Sequence, residues 1–188
     1  TAEQRGRYRE EMELRSINGA AYASFESVGK YVTAGEEIVV YVDADANGVL
    51  PQLCFGQVGK GKGDWRRWAN LQPGKNIITV PSGINPSAIY VVNHANPEDQ
   101  AYVPRVRVEG GTEFPIYIHG ETNPNEFYNE LKEYASKVEY SDEAFAEGNP
   151  EGKFFNIAEL VSENCVITTS AMGALAGLNE VKDKDLTV

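Results

Sequence analysis

Two histidines, two cysteines and two methionines among 188 residues remove most of the ready-made chemistry a sequence can carry. A zinc or triad enzyme confined to this chain would have to build its site from His94, His119 or carboxylates. HExxH and GxSxG are both missing, and no Cys sits in a credible His and Asn constellation. Cys54 and Cys165 stand far apart and form no CxxC pair. They allow one disulfide but no disulfide framework or zinc knuckle, and buried thiols are their ordinary reading. No apolar run approaches the roughly 18 residues of a membrane helix. Bases are scarce: 17 against 28 acids, for a net charge of −11, which disfavours nucleic acid because phosphate contacts need Lys and Arg. The chain starts at Thr1 without a basic-then-apolar leader and reads as a processed protein or a piece of a longer one.

What is present is an ordinary globular composition, 41% hydrophobic and 24% charged. Residues 1–15, with four acids and four Arg, read as a short solvated helix or arm. From about 16 to 110 the signals are those of strands. Residues 37–42 are β-branched and aromatic, and further short runs lie at 49–55, 76–80, 88–93 and 102–108. In the last, Val106 and Val108 share one face and Arg105 and Arg107 the other. Gly, Pro, Asn and Asp clusters punctuate them, which predicts an antiparallel β-sandwich. After Gly110-Gly111 the pattern changes. A strand at 114–119 leads to Asn123-Pro124-Asn125-Glu126, with a capping Asn, Pro at the first helical position and Glu where a capping-box acid belongs. Phe127, Leu131, Tyr134 and Val138 then recur at helical spacing. An acidic loop (142–153), an apolar run (154–160), a strand-like 165–169 and a small-residue helix (170–178) complete the chain. Residues 111–188 are therefore read as the opening part of an α+β (α/β) unit, incomplete as it stands. Residues 125–163 hold ten acids and three bases, a solvated face; residues 56–75 hold five bases and one acid.

Three motifs bear on function. Gly56 and Gly61-Lys62 have the spacing of a phosphate-cradling loop, but Gly63 replaces the Ser/Thr that would hold magnesium and no helix follows; a Gly/Lys hairpin loop is the plainer reading. His119-Gly120-Glu121 matches the HxE of zinc deaminases without the accompanying PCxxC. Trp65-Arg66-Arg67-Trp68 is the surface candidate, because aromatic faces stack on sugar rings while Arg bonds hydroxyls or acidic groups. Alternation places Trp65 and Arg67 on one face and Arg66 and Trp68 on the other, so that one Trp is core and the other outward. Packing of the sandwich by Trp, with Arg laid over it, is the competing reading.

The order of several features resembles the enhancin-like, mucin-directed metallopeptidases. Val28-Gly29-Lys30-Tyr31-Val32-Thr33-Ala34-Gly35-Glu36 looks like that family's G-x-Y-x-x-A-G-E stretch. Trp65-Arg66, Leu71 with Gly74, Ile89-Tyr90-Val91, Phe114-Pro115-Ile116-Tyr117 ahead of Phe127, and Glu159-Leu160 with Val166-Ile167-Thr168-Thr169 continue the likeness. The resemblance implies a sandwich packed on the start of a zinc metallopeptidase domain whose HExxH lies downstream. It implies a secreted or bacterial cell-surface enzyme acting on O-glycosylated, mucin-type proteins. On that reading this chain is a non-catalytic N-terminal fragment that holds no zinc itself; zinc belongs to the missing catalytic part, and its partners are the downstream domain of the same chain and host glycans. The alternative is a carbohydrate-binding or adhesion sandwich with no enzyme partner.

Overall fold

A computed structural model describes residues 25–44, 48–56, 67–82, 86–92, 104–138, 154–162 and 165–183. The N-terminal arm (1–15), His94, Trp65, Arg66 and the acidic loop at 142–153 lie outside the described residues. The chain divides into two compact units, Thr1–Thr112 with Glu163–Cys165, and Glu113–Ser162 with Val166–Val188.

The first unit is built on β1 (Phe25–Val32), β2 (Glu37–Asp43), β3 (Gln52–Gly56), β4 (Arg67–Asn70), β5 (Gly74–Thr79), β6 (Ser87–Val92) and β7 (Arg105–Glu109). One sheet has the order β4-β3-β6-β1-β8, where β8 is Thr112–Glu113, and the other β5-β2-β7. The β1–β6, β3–β6, β3–β4, β2–β5 and β2–β7 pairs are all antiparallel. Alternation decides which side faces in. In β2, Ile38, Val40 and Val42 are buried while Glu37 and Asp43 are exposed. These three meet Leu53, Phe55, Ile89 and Val32 of the other sheet, with Leu71, Val80 and Val108, in one core. Each such side chain contributes about 1.5–3 kcal/mol by leaving water. The expected antiparallel sandwich is therefore what this sequence forms.

The Thr33–Glu36 segment, part of the family-like stretch, has a clear local job. Gly35 takes φ 85°, a left-handed conformation that glycine adopts without a Cβ penalty. Its amide donates to Val80 O (3.0 Å), the Val80 amide donates to Glu36 O (2.8 Å), and the Thr33 hydroxyl donates to Glu36 Oε1 (2.9 Å). That turn hands β1 over to β2 and so joins the two sheets. Within β1 the register against β6 slips between Ser27 and Tyr31, around Gly29 at φ 70°. The bulge explains why β1 carries so little alternating pattern in its sequence.

The second unit holds β9 (Ile116–Ile118), α1 (Pro124–Lys137), β10 (Ala158–Val161), β11 (Val166–Thr169) and α2 (Ala171–Asp183). Its sheet order is β11-β10-β9; β10 runs parallel to β9 and antiparallel to β11. A parallel pair requires a long crossover, and α1 lies within it. Asn123 Oδ1 accepts from the amides of Asn125 (2.9 Å) and Glu126 (3.4 Å), and Pro124 begins the helix. Phe127, Leu131 and Tyr134 are buried; Val138, read as a fourth apolar helical position, is the cap residue past the last turn. The hydroxyl of Tyr128 donates to Asn179 Oδ1 of α2 (2.7 Å).

Neither cysteine is in a disulfide. Cys54 is buried, as its residue type suggests, but Cys165 is exposed, against that expectation. It stands directly before β11, a strand in which no residue is buried.

Candidate functional site

Cross-strand register places Trp68 opposite Cys54, and Cys54 opposite Tyr90. Directly opposed residues project from the same face of a sheet. Leu53, Phe55 and Ile89 point into the core, so the Trp68–Cys54–Tyr90 row is on the outward face of the five-stranded sheet. Trp68, on the edge strand β4, is 41% exposed; Tyr90 is half-buried. Cys54, Tyr31, Ala88 and Val92 on that same face are buried, which leaves the β4 edge as the open part. In the adjacent row Gln52 Nε2 donates to Asn70 Oδ1. At the end of β3, a Cβ on Gly56 would come 3.1 Å from Tyr90 Cε2, so glycine there lets the tyrosine ring lie close over the strand.

Of the four residues expected at this surface, Trp68 is thus outward. Arg67 pairs in register with Phe55, and Trp65 and Arg66 lie outside the described residues. The Gly/Lys stretch that begins at Gly56 connects two antiparallel neighbours, β3 and β4, whereas a phosphate loop joins a strand to a helix. The hairpin reading fits that topology.

His119 directly follows β9 in an exposed position, its amide donating to Val161 O (2.8 Å). Gly120 at φ 83° and the bonds of Glu121 and Thr122 amides to Ile118 O make His119-Gly120-Glu121 a tight turn into α1. Among the described residues no three His, Cys, Asp or Glu side chains stand together in a way that would hold a metal ion. The donor set here therefore does not fit a catalytic zinc, which takes about three protein ligands and an open water position.

Sequence reasoning did not single out Glu159 by its own chemistry. It is fully buried on the central strand β10, and its Oε1 accepts from the Thr168 hydroxyl of β11 (3.1 Å). The only hint was an acid within the apolar run at 154–160. Glu130 on α1 has its carboxyl pushed above the usual carboxylate range, first by burial and then by the negative charge of Glu113.

No known family's sequence profile matches this chain, and no curated protein matches it in sequence. Solved structures do. The M60 catalytic domain of Clostridium perfringens ZmpC, solved in complex with the sialyl T antigen, is 27% identical over 87% of this chain and 32% of its own, with TM-score 0.67. The catalytic module of the metalloprotease ZmpA from C. perfringens is 25% identical over 94% of this chain and 34% of its own, with TM-score 0.69. The M60 catalytic domain of C. perfringens ZmpB with its CBM51-1 and CBM51-2 domains is 26% identical over 98% of this chain and 19% of its own, with TM-score 0.72. The structural neighbours are thus M60 metallopeptidase domains, the enhancin-like class the sequence resembles, and the chain spans about a third or less of their length.

Proposed function

We propose that this chain is the non-catalytic N-terminal region of a secreted or surface-attached M60-type zinc metallopeptidase that acts on O-glycosylated, mucin-type proteins. The observation that carries the reading is similarity to M60 catalytic domains over nearly the whole chain while spanning only a third of those domains. One such neighbour was solved with the sialyl T antigen and another with CBM51 domains in the same chain, which supports glycoprotein substrates. No described helix is long and apolar enough to cross a membrane. The donor set supports this reading: hydrolysis by zinc needs ligands that the described residues do not gather, and on this proposal zinc and the water-activating Glu belong to a further part of the same protein. The role left to the sandwich is to support and orient that part.

The test is a pair of proteins, this chain alone and this chain extended through its downstream reading frame. The extended protein is expected to contain HExxH and to cleave an O-glycosylated protein in a chelator-sensitive way, while the short one does not. Cleavage by the short chain with stoichiometric zinc, or a downstream frame that closes without HExxH, overturns the proposal.

A second reading, a carbohydrate-binding sandwich, rests on Trp68. Trp is usually well buried, yet this one is exposed at a sheet edge, with the Gln52 and Asn70 amides one row away. Stacking by an exposed indole with neighbouring amides suits a neutral sugar. Trp68→Ala is expected to abolish binding on a mucin-glycan array without changing the unfolding midpoint. Loss of the fold together with silence of the wild type on the array removes this reading.

A further inference from the structure

The outward face of the β5-β2-β7 sheet is used by neither reading. Register lays it out in rows: Tyr41 lies between Lys75 and Arg107, Val39 between Ile77 and Glu109, and Asp43 opposite Arg105, while Glu37 faces Thr79. Opposed side chains on one face stand about 4.5–5.5 Å apart at Cβ, so Lys75, Tyr41 and Arg107 form a continuous row with the tyrosine in the middle. The Arg107 guanidinium sits 4.6 Å from the Tyr41 ring centroid, and its Nη2 donates to Glu109 Oε1 at 2.9 Å. Even so, the arginine side chain is 70% exposed. Ring and carboxylate hold the fork in place, which removes rotamer freedom a ligand would otherwise have to quench, and most of its five donors still face water. Among the described residues Lys75 and Arg105 make no ion pair. Ile77, two positions along β5 from Lys75, is 60% exposed beside the half-buried Val39. The acids on this face, Glu37, Asp43 and Glu109, equal its cations in number on a protein of net charge −11, and Glu109 reaches the tyrosine row through its bond to Arg107.

The geometry points to this face as a binding surface for a carboxylate-bearing sugar, with the carboxylate on Arg107 and Lys75 and an apolar ring face or acetamido methyl against Ile77 and Val39. A fixed guanidinium fork suits a carboxylate, and the exposed isoleucine beside it supplies the apolar contact that a bare anion would not use. The choice of a sugar over an acidic peptide rests on the glycoprotein substrate proposed above. Exposed ion pairs contribute little each, so the affinity expected is millimolar, and recognition gains strength when several sugars on one glycoprotein are engaged together.

The experiment is an NMR titration of the isotope-labelled full chain with N-acetylneuraminic acid, with its uncharged methyl ester, and with a short oligoglutamate peptide. The acid is expected to shift amides of β2, β5 and β7 saturably in the millimolar range, with the ester much weaker. Arg107→Ala and Lys75→Ala, both exposed positions, are each expected to weaken binding about two- to fivefold, the worth of one exposed charged contact, with the rest of the spectrum unchanged. Trp68→Ala is expected to leave it intact. Absence of saturable shifts, equal shifts from the ester, or tighter binding of the peptide overturns the inference. Such a result leaves the peptidase proposal standing, because that one is judged by cleavage in the extended chain; failure of the extended chain to cleave leaves the titration readable on its own.

Discussion

The Tyr134 hydroxyl donates a 2.6 Å hydrogen bond to the carbonyl oxygen of Phe155, buried and 21 residues further along the chain. It ties the last turns of α1 to the segment that enters β10, and the Tyr134 ring also lies 5.2 Å from that of Phe154. Tyr134→Phe keeps the ring and leaves a buried carbonyl without this donor. The expected loss is about 1–2 kcal/mol, read as a lower urea midpoint with an unchanged slope. An unshifted midpoint would mean that the bond contributes nothing to holding β10 against α1.

Glycines at positive φ differ in what a side chain would meet. At Gly111 (φ 71°) a Cβ would stand 3.0 Å from Tyr31 O and 3.2 Å from Val32 Cγ1. At Gly35 (φ 85°) nothing lies within 4 Å. Gly35→Ala therefore bears only the left-handed backbone cost, about 1–2 kcal/mol. Gly111→Ala adds a clash with backbone that cannot move away cheaply, for a total of about 2–4 kcal/mol. Thermal unfolding of the two variants should rank them in that order; the reverse would refute the close approach of the Gly110-Gly111 corner to β1.

Ser87 opens β6 opposite Val32, fully buried, and its hydroxyl has no hydrogen-bond partner among the described residues. An unsatisfied buried hydroxyl is a cost, and removing it leaves only a small void. Ser87→Ala is expected to be neutral or to stabilise by up to about 1 kcal/mol, measured by denaturant midpoint. A loss of more than about 1 kcal/mol would show that the hydroxyl is satisfied by a bound water.

These contrasts also mark what a sequence can convey. Asn123-Pro124 and the Phe127, Leu131, Tyr134 spacing locate α1 because capping and helical periodicity are local. The alternation in residues 37–42 likewise declares β2. Strand β1 was hidden because its bulge at Gly29 breaks the period, and the parallel β9–β10 pair because three or four residues per strand carry no register information. The surface candidates divide the same way. Outward placement of Trp68 depends on its pairing with Cys54, and the Lys75–Tyr41–Arg107 row joins three strands that are far apart in sequence. Neither arrangement is written in any single segment.

Two carboxylates on α1 should give the stability profile opposite slopes on either side of their ordinary value of 4.5. Glu130 is held above it, first by burial and then by Glu113. Between 4.5 and that raised value the folded chain keeps a proton that the unfolded chain has lost, so stability falls as pH rises through the window and is fully present below it. Glu133 is held below it by its hydrogen bond to Lys137 (2.7 Å) and that ammonium's charge. Its contribution is present above 4.5 and is lost as pH falls through the depressed value. Glu130→Gln should therefore raise stability at neutral pH slightly and flatten the decline above 4.5, whereas Glu133→Gln should flatten the decline below it. Urea midpoints measured from acid to neutral pH decide this: a Glu130→Gln profile that still falls as steeply above 4.5 as the wild type removes Glu130 as the cause, and an unchanged acid limb in Glu133→Gln does the same for the Lys137 pair.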